Sequence, residues 1–244
     1  MDVRINNLNI KQSQFNAAMD LYRSKKIYTA FSRLVATLNV SLQMVLVYLI
    51  WDIQLGLAGQ AGAFILAFVL TDFLNGLIHM IMDHKESYDS FYGPLVANFH
   101  LHHQTPKYTR HPLSAVYFNE TGAKIWLVPF LMLTLFFEMN GSFSPFVIHT
   151  LVYIGILSSV AEVSHYLCHT SDSKAAHFLA RIGILLSREH HTPHHTEDNV
   201  NYAFLNGMSD PLINLIARTF FVGYKNTTDQ HFAKFSSGSE NYER

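Results

Sequence analysis

The chain has 244 residues, of which 49% are hydrophobic and 14% charged, whereas soluble domains carry about 25% charged residues. Its formal net charge is −1, so nothing in the overall charge favours nucleic acid as a partner. The single cysteine, Cys168, excludes an internal disulfide and a thiolate metal centre, so any metal must be held by nitrogen and oxygen ligands.

Four apolar stretches are long enough to consider as membrane helices, and buried helices in a soluble bundle are the alternative. These stretches cover residues 35–57, 59–82, 124–139 and 146–169. The third is short for a full crossing and contains Pro129, so we expect it to tilt, kink or pair with the fourth as a hairpin.

The basic residues argue for the membrane. All 17 lysines and arginines precede the first stretch, follow the fourth, or lie between the second and the third, where the count includes Lys124, the first residue of the third stretch. The two remaining connections carry none, which is the positive-inside pattern with both termini in the cytosol. The sequence therefore predicts an all-α, four-span transmembrane helical bundle, an integral multi-pass protein of a bacterial plasma membrane or the endoplasmic reticulum.

The chain is predicted to form one domain over residues 1–244. Residues 1–34 are a cytosolic N-terminal segment with no apolar core of a cleavable signal peptide. Residues 35–169 hold the four spans and the first histidine loop, and 170–244 form a cytosolic histidine-rich cap and tail. Within that cap, 174–188 and 210–221 are predicted to be interfacial amphipathic helices, and the last ten or so residues are predicted to be disordered.

Polar residues recur at helical spacing near the end of the second stretch. Asp72, Asn75 with Gly76, His79 and Asp83 form one stripe on an otherwise apolar helix. Ionisable groups at membrane depth cost several kcal/mol unless they are paired or liganded, so the stripe is a functional candidate. A structural hydrogen bond between Asp72 and His79 is the alternative, but it accounts for one pair only.

The fourth stretch ends with a second set. His165 and His169 are four residues apart, so two imidazoles on one helix face can reach a common metal, and Glu162 lies one turn earlier. A lone buried histidine is most often a satisfied core residue, but two in register with a glutamate favour a site.

Two histidine clusters are predicted to lie in loops, and His84 follows His79 by five residues. The loop clusters contain His100, His102, His103 and His111, and then His190, His191, His194 and His195. Each cluster alone could be a solvated pH switch. Together they favour a shared metal centre. Imidazole suits iron, copper, nickel or zinc, and the number of ligands exceeds what one zinc needs, which fits two metals.

At these residues the chain resembles the plasmanylethanolamine desaturase family of membrane lipid desaturases, which includes the bacterial CarF proteins and a plastid desaturase of phosphatidylglycerol. The matching pieces lie in order between about 70 and 215. They are Asp72, Gly76-Leu-Ile-His79-Met-Ile-Met-Asp83, Phe99-His-Leu-His102-His103, Thr109-Arg110-His111, His165-Tyr-Leu-Cys-His169, Arg188-Glu-His190-His191-Thr-Pro-His194-His195, Asn201-Tyr202 and Gly207.

The resemblance implies an O2-dependent di-iron enzyme that desaturates a chain of an intact phospholipid. In the name-giving members this chain is the alkyl ether at the glycerol 1-position, and the product is the vinyl ether of a plasmalogen. The implied metal ligands are His79, His102, His103, His111, His165, His169, His191, His194 and His195, with Asp83 or His84 close by and His190 as an alternate.

The chain departs from the family pattern at three positions. Met80 stands where the family usually has Trp, Pro112 where it has Asp, and Glu162 where it has Asn. Glu162 either adds a ligand or alters the surroundings of the ligands. These departures leave the exact substrate open, and a fatty-acyl or sterol-type di-iron hydroxylase or an acyl desaturase is the alternative enzyme.

Electrons must come from a separate protein, because the sequence contains no nucleotide, haem or flavin motif. The resemblance implies cytochrome b5 or a ferredoxin as the donor. Lys107, Arg110 and Arg188 could hold a lipid phosphate or an acidic redox partner, or serve only as positive-inside residues. A non-catalytic membrane metal transporter or sensor is the remaining alternative, although it would favour polar residues through the full membrane depth.

Overall fold

A computed structural model describes the backbone of residues 2–104 and 111–221 and the side chains of 9–103 and 111–221. Within these residues the chain is helical, without a strand. Its helices are α1 Asp2–Ser24, α2 Lys26–Ile50, α3 Gly56–Asp83, α4 Gly93–Gln104, α5 Leu113–Thr121, α6 Leu127–Met139, α7 Pro145–Thr170, α8 Lys174–Arg181, α9 Arg188–His191 and α10 Asp210–Phe220, and a 3-10 turn, Thr192–His195, follows α9.

Three helices, α2, α3 and α7, are long and apolar enough to cross a membrane. Large apolar side chains on them face outward, including Met44, Tyr48 and Ile65. Such an apolar surface suits lipid as the surrounding solvent. The all-helical prediction is confirmed. Of the four predicted spans, three correspond to these candidate spanning helices.

The third predicted span corresponds to α6, which has 13 residues. A helix of this length extends about 20 Å, against a hydrocarbon core about 30 Å thick. The first predicted span was placed too late in the chain, because α2 begins at Lys26 and ends at Ile50. Apolar residues after Ile50 extended the hydropathic stretch past the end of the helix.

Helices α3 and α7 run side by side in the same direction. Near their starts, the position of a Cβ on Gly62 would lie 3.3 Å from the ring of Phe146. Near their ends, the rings of His79 and His165 have centroids 6.4 Å apart. Parallel packing therefore brings the histidines of both helices to one end of the bundle.

Buried polar side chains also join the helices. The amide nitrogen of Asn75 donates to the Ser158 hydroxyl across 3.1 Å, and that of Gln43 donates to the Ser159 hydroxyl across 2.9 Å. Interhelical hydrogen bonds of this kind fix the relative rotation of helices where lipid supplies no hydrophobic driving force. Packing of α2 and α6 against α7 is apolar and includes Leu46, Leu127 and Val152.

Outside the long helices, the structure adds one helix to the predicted elements and corrects two expectations about segments near the histidine end. The N-terminal segment forms α1, whose Phe15 and Met19 pack against Tyr88 and Val96 around α4. The first histidine cluster, predicted as a loop, lies largely on α4. The amphipathic helix predicted over 174–188 ends at Arg181. It stops there because Gly183 adopts a positive φ of 76°. The predicted disordered C-terminal residues lie outside the described part.

Candidate metal centre

Four segments of the described chain bring histidines to the same end of the bundle. Helix α3 contributes His79 and Asp83, and α7 contributes His165 and His169, each pair four residues apart on one helix face. Helix α4 ends with two adjacent histidines. The α9 turn and the 3-10 turn contribute the rest, and the Ser187 hydroxyl starts α9 by accepting the His190 backbone N–H at 3.1 Å.

Five histidines form the first group. Their ligand atoms, one per residue, all lie within 4.8 Å of one another, and the members are His102, His165, His169, His191 and His195. The Nε2 atom of His191 lies 3.0 Å from Nε2 of His165 and 3.1 Å from Nε2 of His195. Nε2 of His169 lies 3.2 Å from Nε2 of His165.

Hydrogen bonds alone cannot satisfy these nitrogens. One imidazole nitrogen carries either a proton or one lone pair, so Nε2 of His191 cannot bond fully to both neighbours at once. Nitrogens that each lie about 2.1 Å from one ion are about 3.0–3.4 Å apart, which is the spacing seen. The first group therefore fits a metal ion held by imidazole.

Three histidines and one carboxylate form the second group: His79, Asp83, His103 and His194. The carboxylate is central, because its Oδ1 lies 3.1 Å from Nε2 of His103 and 3.6 Å from Nε2 of His79. Its Oδ2 lies 3.5 Å from Nε2 of His194. The side chains of Asp83 and His194 are completely buried. A mixed imidazole and carboxylate set suits iron, zinc or manganese rather than a soft metal.

The two groups are neighbours. His102 and His103 are consecutive but belong to different groups, and the same holds for His194 and His195. The centroids of the His191 and His194 rings lie 5.1 Å apart. Helix α4 and the 3-10 turn thus each contribute histidines to both groups, so the arrangement fits two metal ions close together.

The electrostatics favour neutral ligands. Burial, reinforced by neighbouring imidazoles, lowers the pKa of His102, His191 and His194 well below the usual 6.5. A neutral imidazole has the lone pair that a metal requires, so these residues are ready to bind at neutral pH.

Four predicted ligands lie outside both groups. Glu162 pairs with Nζ of Lys124 at 2.9 Å, and His190 donates to Asp210 at 2.6 Å, which raises the pKa of His190. Nδ1 of His84 bonds the Met80 carbonyl at 2.7 Å, and its ring stacks on Phe221. The remaining one is His111.

His111 is exposed, and its backbone N–H donates to the Tyr166 hydroxyl at 3.1 Å. Lys107, Thr109 and Arg110, which precede it, lie outside the described residues. Arg188 donates to the carbonyls of Cys168 and His169, so its guanidinium holds the end of α7.

The structure also shows which residues orient the candidate ligands. His79 and His194 direct Nδ1 at the carbonyls of Tyr202 and Val200, at 2.8 and 3.0 Å. Asp72 accepts bonds from the backbone N–H groups of Asn206, Gly207 and Ser209, and so fixes the segment after Tyr202 to α3. Asp72 therefore pairs with this segment instead of with His79. The polar stripe signalled that Asp72 matters, but not its partner.

His100 belongs to the first histidine cluster of the sequence but has a structural role. Its Nδ1 lies 2.6 Å from the Tyr88 hydroxyl, and its Nε2 lies 3.0 Å from the Met82 carbonyl. Full burial lowers its pKa to about 4. It ties α4 to the end of α3, next to Asp83.

Two adjacent cavities adjoin the histidine groups. The larger, about 470 Å³, has mostly apolar walls from α3, α4 and the turn before α6. The smaller, about 290 Å³, touches His79 of the second group and His102 and His165 of the first. The two share walls, including Phe99, Glu162 and Phe204, so we treat them as one slot. Glu120 lines the smaller cavity, where burial and then Glu162 raise its pKa to about 7.

The fold and site define a class: a helical membrane protein with a buried, histidine-rich site that fits metal ions and opens into an apolar slot. Residues 68–222, more than half of the chain, match the lipid desaturase domain, so the chain belongs to the lipid desaturase domain family. No curated protein and no solved structure matches the chain significantly.

Proposed function

We propose that this protein holds two iron ions and uses O2 to introduce a double bond into a chain of an intact phospholipid. The observation that supports this most strongly is the position of the slot: its smaller cavity touches both histidine groups, and its larger cavity is apolar. The substrate we propose is the alkyl ether at the glycerol 1-position, with the vinyl ether of a plasmalogen as product.

Bound at the two groups, a pair of iron ions would supply the O2 activation that removes hydrogen from an unactivated C–H bond. The –CH2–CH2– unit loses two hydrogens, and O2 takes these with two electrons and two protons from the donor to form two waters. Histidines supply neutral ligands, and Asp83 supplies a negative charge that offsets part of the metal charge. Apolar walls position the chain and keep bulk water away from the reacting carbons.

The donor we propose is cytochrome b5 or a ferredoxin. It would approach from the face that carries α9, because His169 and His195 of the first group are only partly buried there. The lipid chain would approach from the side of the larger cavity. The two partners would thus reach the centre from different directions.

A lipid analysis tests the proposal. The wild type and His194→Ala are expressed in cells that contain ether lipids, iron and a competent reductase, and His177→Ala is the control because His177 is exposed on α8. We expect acid-labile vinyl ethers with the wild type and the control, and none with His194→Ala.

Other outcomes separate the alternatives. A new acyl double bond that depends on His194 would keep the desaturase and replace the substrate, and a new hydroxyl group would indicate a hydroxylase. No histidine-dependent change in any lipid would contradict the proposal and favour a metal transporter or sensor. Iron content of the purified proteins, measured in parallel, shows whether His194→Ala loses metal, as a ligand should.

A further inference from the structure

A buried ion pair lies in the wall of the apolar slot. Lys124, in the turn between α5 and α6, is 4% exposed, and its Nζ lies 2.9 Å from Oε1 of Glu162. The ammonium also donates to the side-chain oxygen of Asn75, and it lies 4.4 Å from the centroid of the Phe204 ring. All four side chains line the larger cavity.

The Lys124 ammonium can donate one more hydrogen bond than these contacts use. An ammonium group has three N–H donors, and the described residues provide two acceptors for Lys124. The Lys124 side chain lines the slot, and its ammonium lies over the face of the Phe204 ring, which satisfies a cation only in part. A chain oxygen in the slot would complete the set of acceptors.

Stability alone gives a weak reason for such a pair. Removing two charges from water costs several kcal/mol per ion, and well-packed apolar residues of similar volume often serve as well or better. An ion pair in the mostly apolar wall of the larger cavity is therefore a candidate for recognition. A lipid chain that consisted only of hydrocarbon at this depth would offer the Lys124 ammonium no hydrogen-bond acceptor.

We propose that Lys124, oriented by Glu162, donates a hydrogen bond to an ether or ester oxygen of the lipid chain and so selects which carbons reach the histidine groups. Glu162 also lines the smaller cavity, which touches both groups, so the bound oxygen lies next to the reacting segment. The substrate class is then a chain desaturated close to its glycerol linkage, not in the middle. This inference rests on the proposed function.

Binding can be measured without turnover, because Trp126 lines the larger cavity and Trp51 is the one other tryptophan. In a Trp51→Phe background, quenching of Trp126 by lipids with a brominated chain reports occupancy of the slot. The lipids are a 1-O-alkyl glycerophospholipid, its 1-acyl counterpart and an analogue with a methylene group in place of the oxygen. The first two distinguish ether from ester oxygens.

We expect the background protein to bind one or both oxygen-containing lipids about 10- to 100-fold more tightly than the methylene analogue, as for a hydrogen bond to a charged donor. Lys124→Met should bind all three alike. Lys174→Met, which changes a lysine on α8 outside the slot, should keep the preference.

The variant Lys124→Met leaves Glu162 unpaired and could fail to fold, so the double variant Lys124→Met/Glu162→Leu accompanies it, because it removes both charges. If either variant folds and still prefers the oxygen-containing lipids as strongly as the background protein does, the proposal is overturned. It is also overturned if the background protein itself binds all three lipids alike. The failure of desaturation would not affect these binding ratios, so the two proposals fail separately. Where turnover occurs, we expect Lys124→Met to spread the new double bond over several positions of the chain.

Discussion

Hydrogen bonds on the far side of the rings select the nitrogen atoms that face the candidate metal positions. Nδ1 of His79 and of His194 each lie within hydrogen-bond distance of a backbone carbonyl, so Nδ1 carries the proton and Nε2 keeps its lone pair. Both Nε2 atoms then face the Asp83 carboxylate. The second group is thus oriented by the backbone of one loop and centred on one acid.

Asp83 should matter more for the second group than for the first, because the first consists of histidines alone. We expect Asp83→Asn to lower the iron content from about two toward about one ion per protein, because the amide keeps the shape and loses the charge. Asp89→Asn, at an exposed position, is the control. Iron is measured by elemental analysis of the purified proteins, and an unchanged content in Asp83→Asn would contradict the assignment.

The buried imidazoles predict how the metal-free protein responds to acid. Burial lowers the pKa of His102, His191 and His194 in the folded state, whereas the unfolded chain titrates near 6.5. Below pH 6.5 the unfolded state therefore binds more protons, so each of these histidines destabilises the folded state further as the pH falls.

We therefore expect the melting temperature of the protein, after a chelator has removed its metal, to fall as the pH is lowered from about 7 to about 5. His102→Gln removes one titrating group and should flatten the slope. Thermal unfolding in detergent at several pH values measures both, and a melting temperature independent of pH would contradict the buried, neutral state of these histidines.

Sequence spacing predicted part of this site well. Pairs four residues apart, such as His165 and His169, share a helix face whatever surrounds them, and both fall in the first group. The fate of Glu162 and His190 was not predictable, because their partners, Lys124 and Asp210, lie in distant segments. A partner in a distant segment follows from the packing of helices, which no local spacing encodes.

At the scale of the elements, the site depends on how closely the loop after the 3-10 turn approaches α3. The position of a Cβ on Gly76 would lie 2.9 Å from the backbone Cα of Ala203 and 3.0 Å from its nitrogen. Ala203 follows Tyr202, whose carbonyl orients His79. Gly76 therefore allows the close contact between α3 and the loop that aligns His79, a candidate ligand.

We expect Gly76→Ala to push this loop away from α3 and to weaken iron binding by about 10- to 100-fold, as for the loss of other groups that orient ligands. Gly62→Ala on the same helix is the control, because the nearest atom there, at 3.3 Å, belongs to the ring of Phe146, which can shift. Iron retention during titration with a chelator compares the two variants. Equal retention in both would contradict the role of the close approach.

Elements with a clear apolar pattern in the sequence were predictable, and elements without one were not. Hydropathy over about 20 residues locates α3 and α7 almost to the residue, and the amphipathic pattern locates α10. Helix α4 combines apolar residues with clustered histidines and was predicted as a loop, because histidine contributes no clear period. Helix α1 was not predicted, because its apolar face is narrow, and its Phe15 and Met19 are buried by residues distant in the sequence, including Tyr88 and Val96.

At the scale of the whole molecule, one end of the bundle carries the chemistry and the other carries short connections. Helices α3 and α7 both end at the histidine groups, so the connection 51–55 before α3 and the connection 140–144 before α7 lie at the opposite end. Neither connection contains a lysine or an arginine. The positive-inside pattern predicts such connections on the side away from the cytosol, so we expect the histidine end to face the cytosol, within reach of an electron donor there.

This orientation can be measured with single cysteines in a Cys168→Ala background. We expect Asp52→Cys and Ser142→Cys, in the two short connections, to react with a membrane-impermeant thiol reagent applied to intact bacterial cells that carry the protein in the plasma membrane. Asp172→Cys, just after α7, should react only after the membrane is permeabilised, because the basic residues hold that end in the cytosol. Labelling of Asp172→Cys in intact cells would reverse the orientation, and labelling of Asp52→Cys without Ser142→Cys would show that α6 does not return the chain across the membrane.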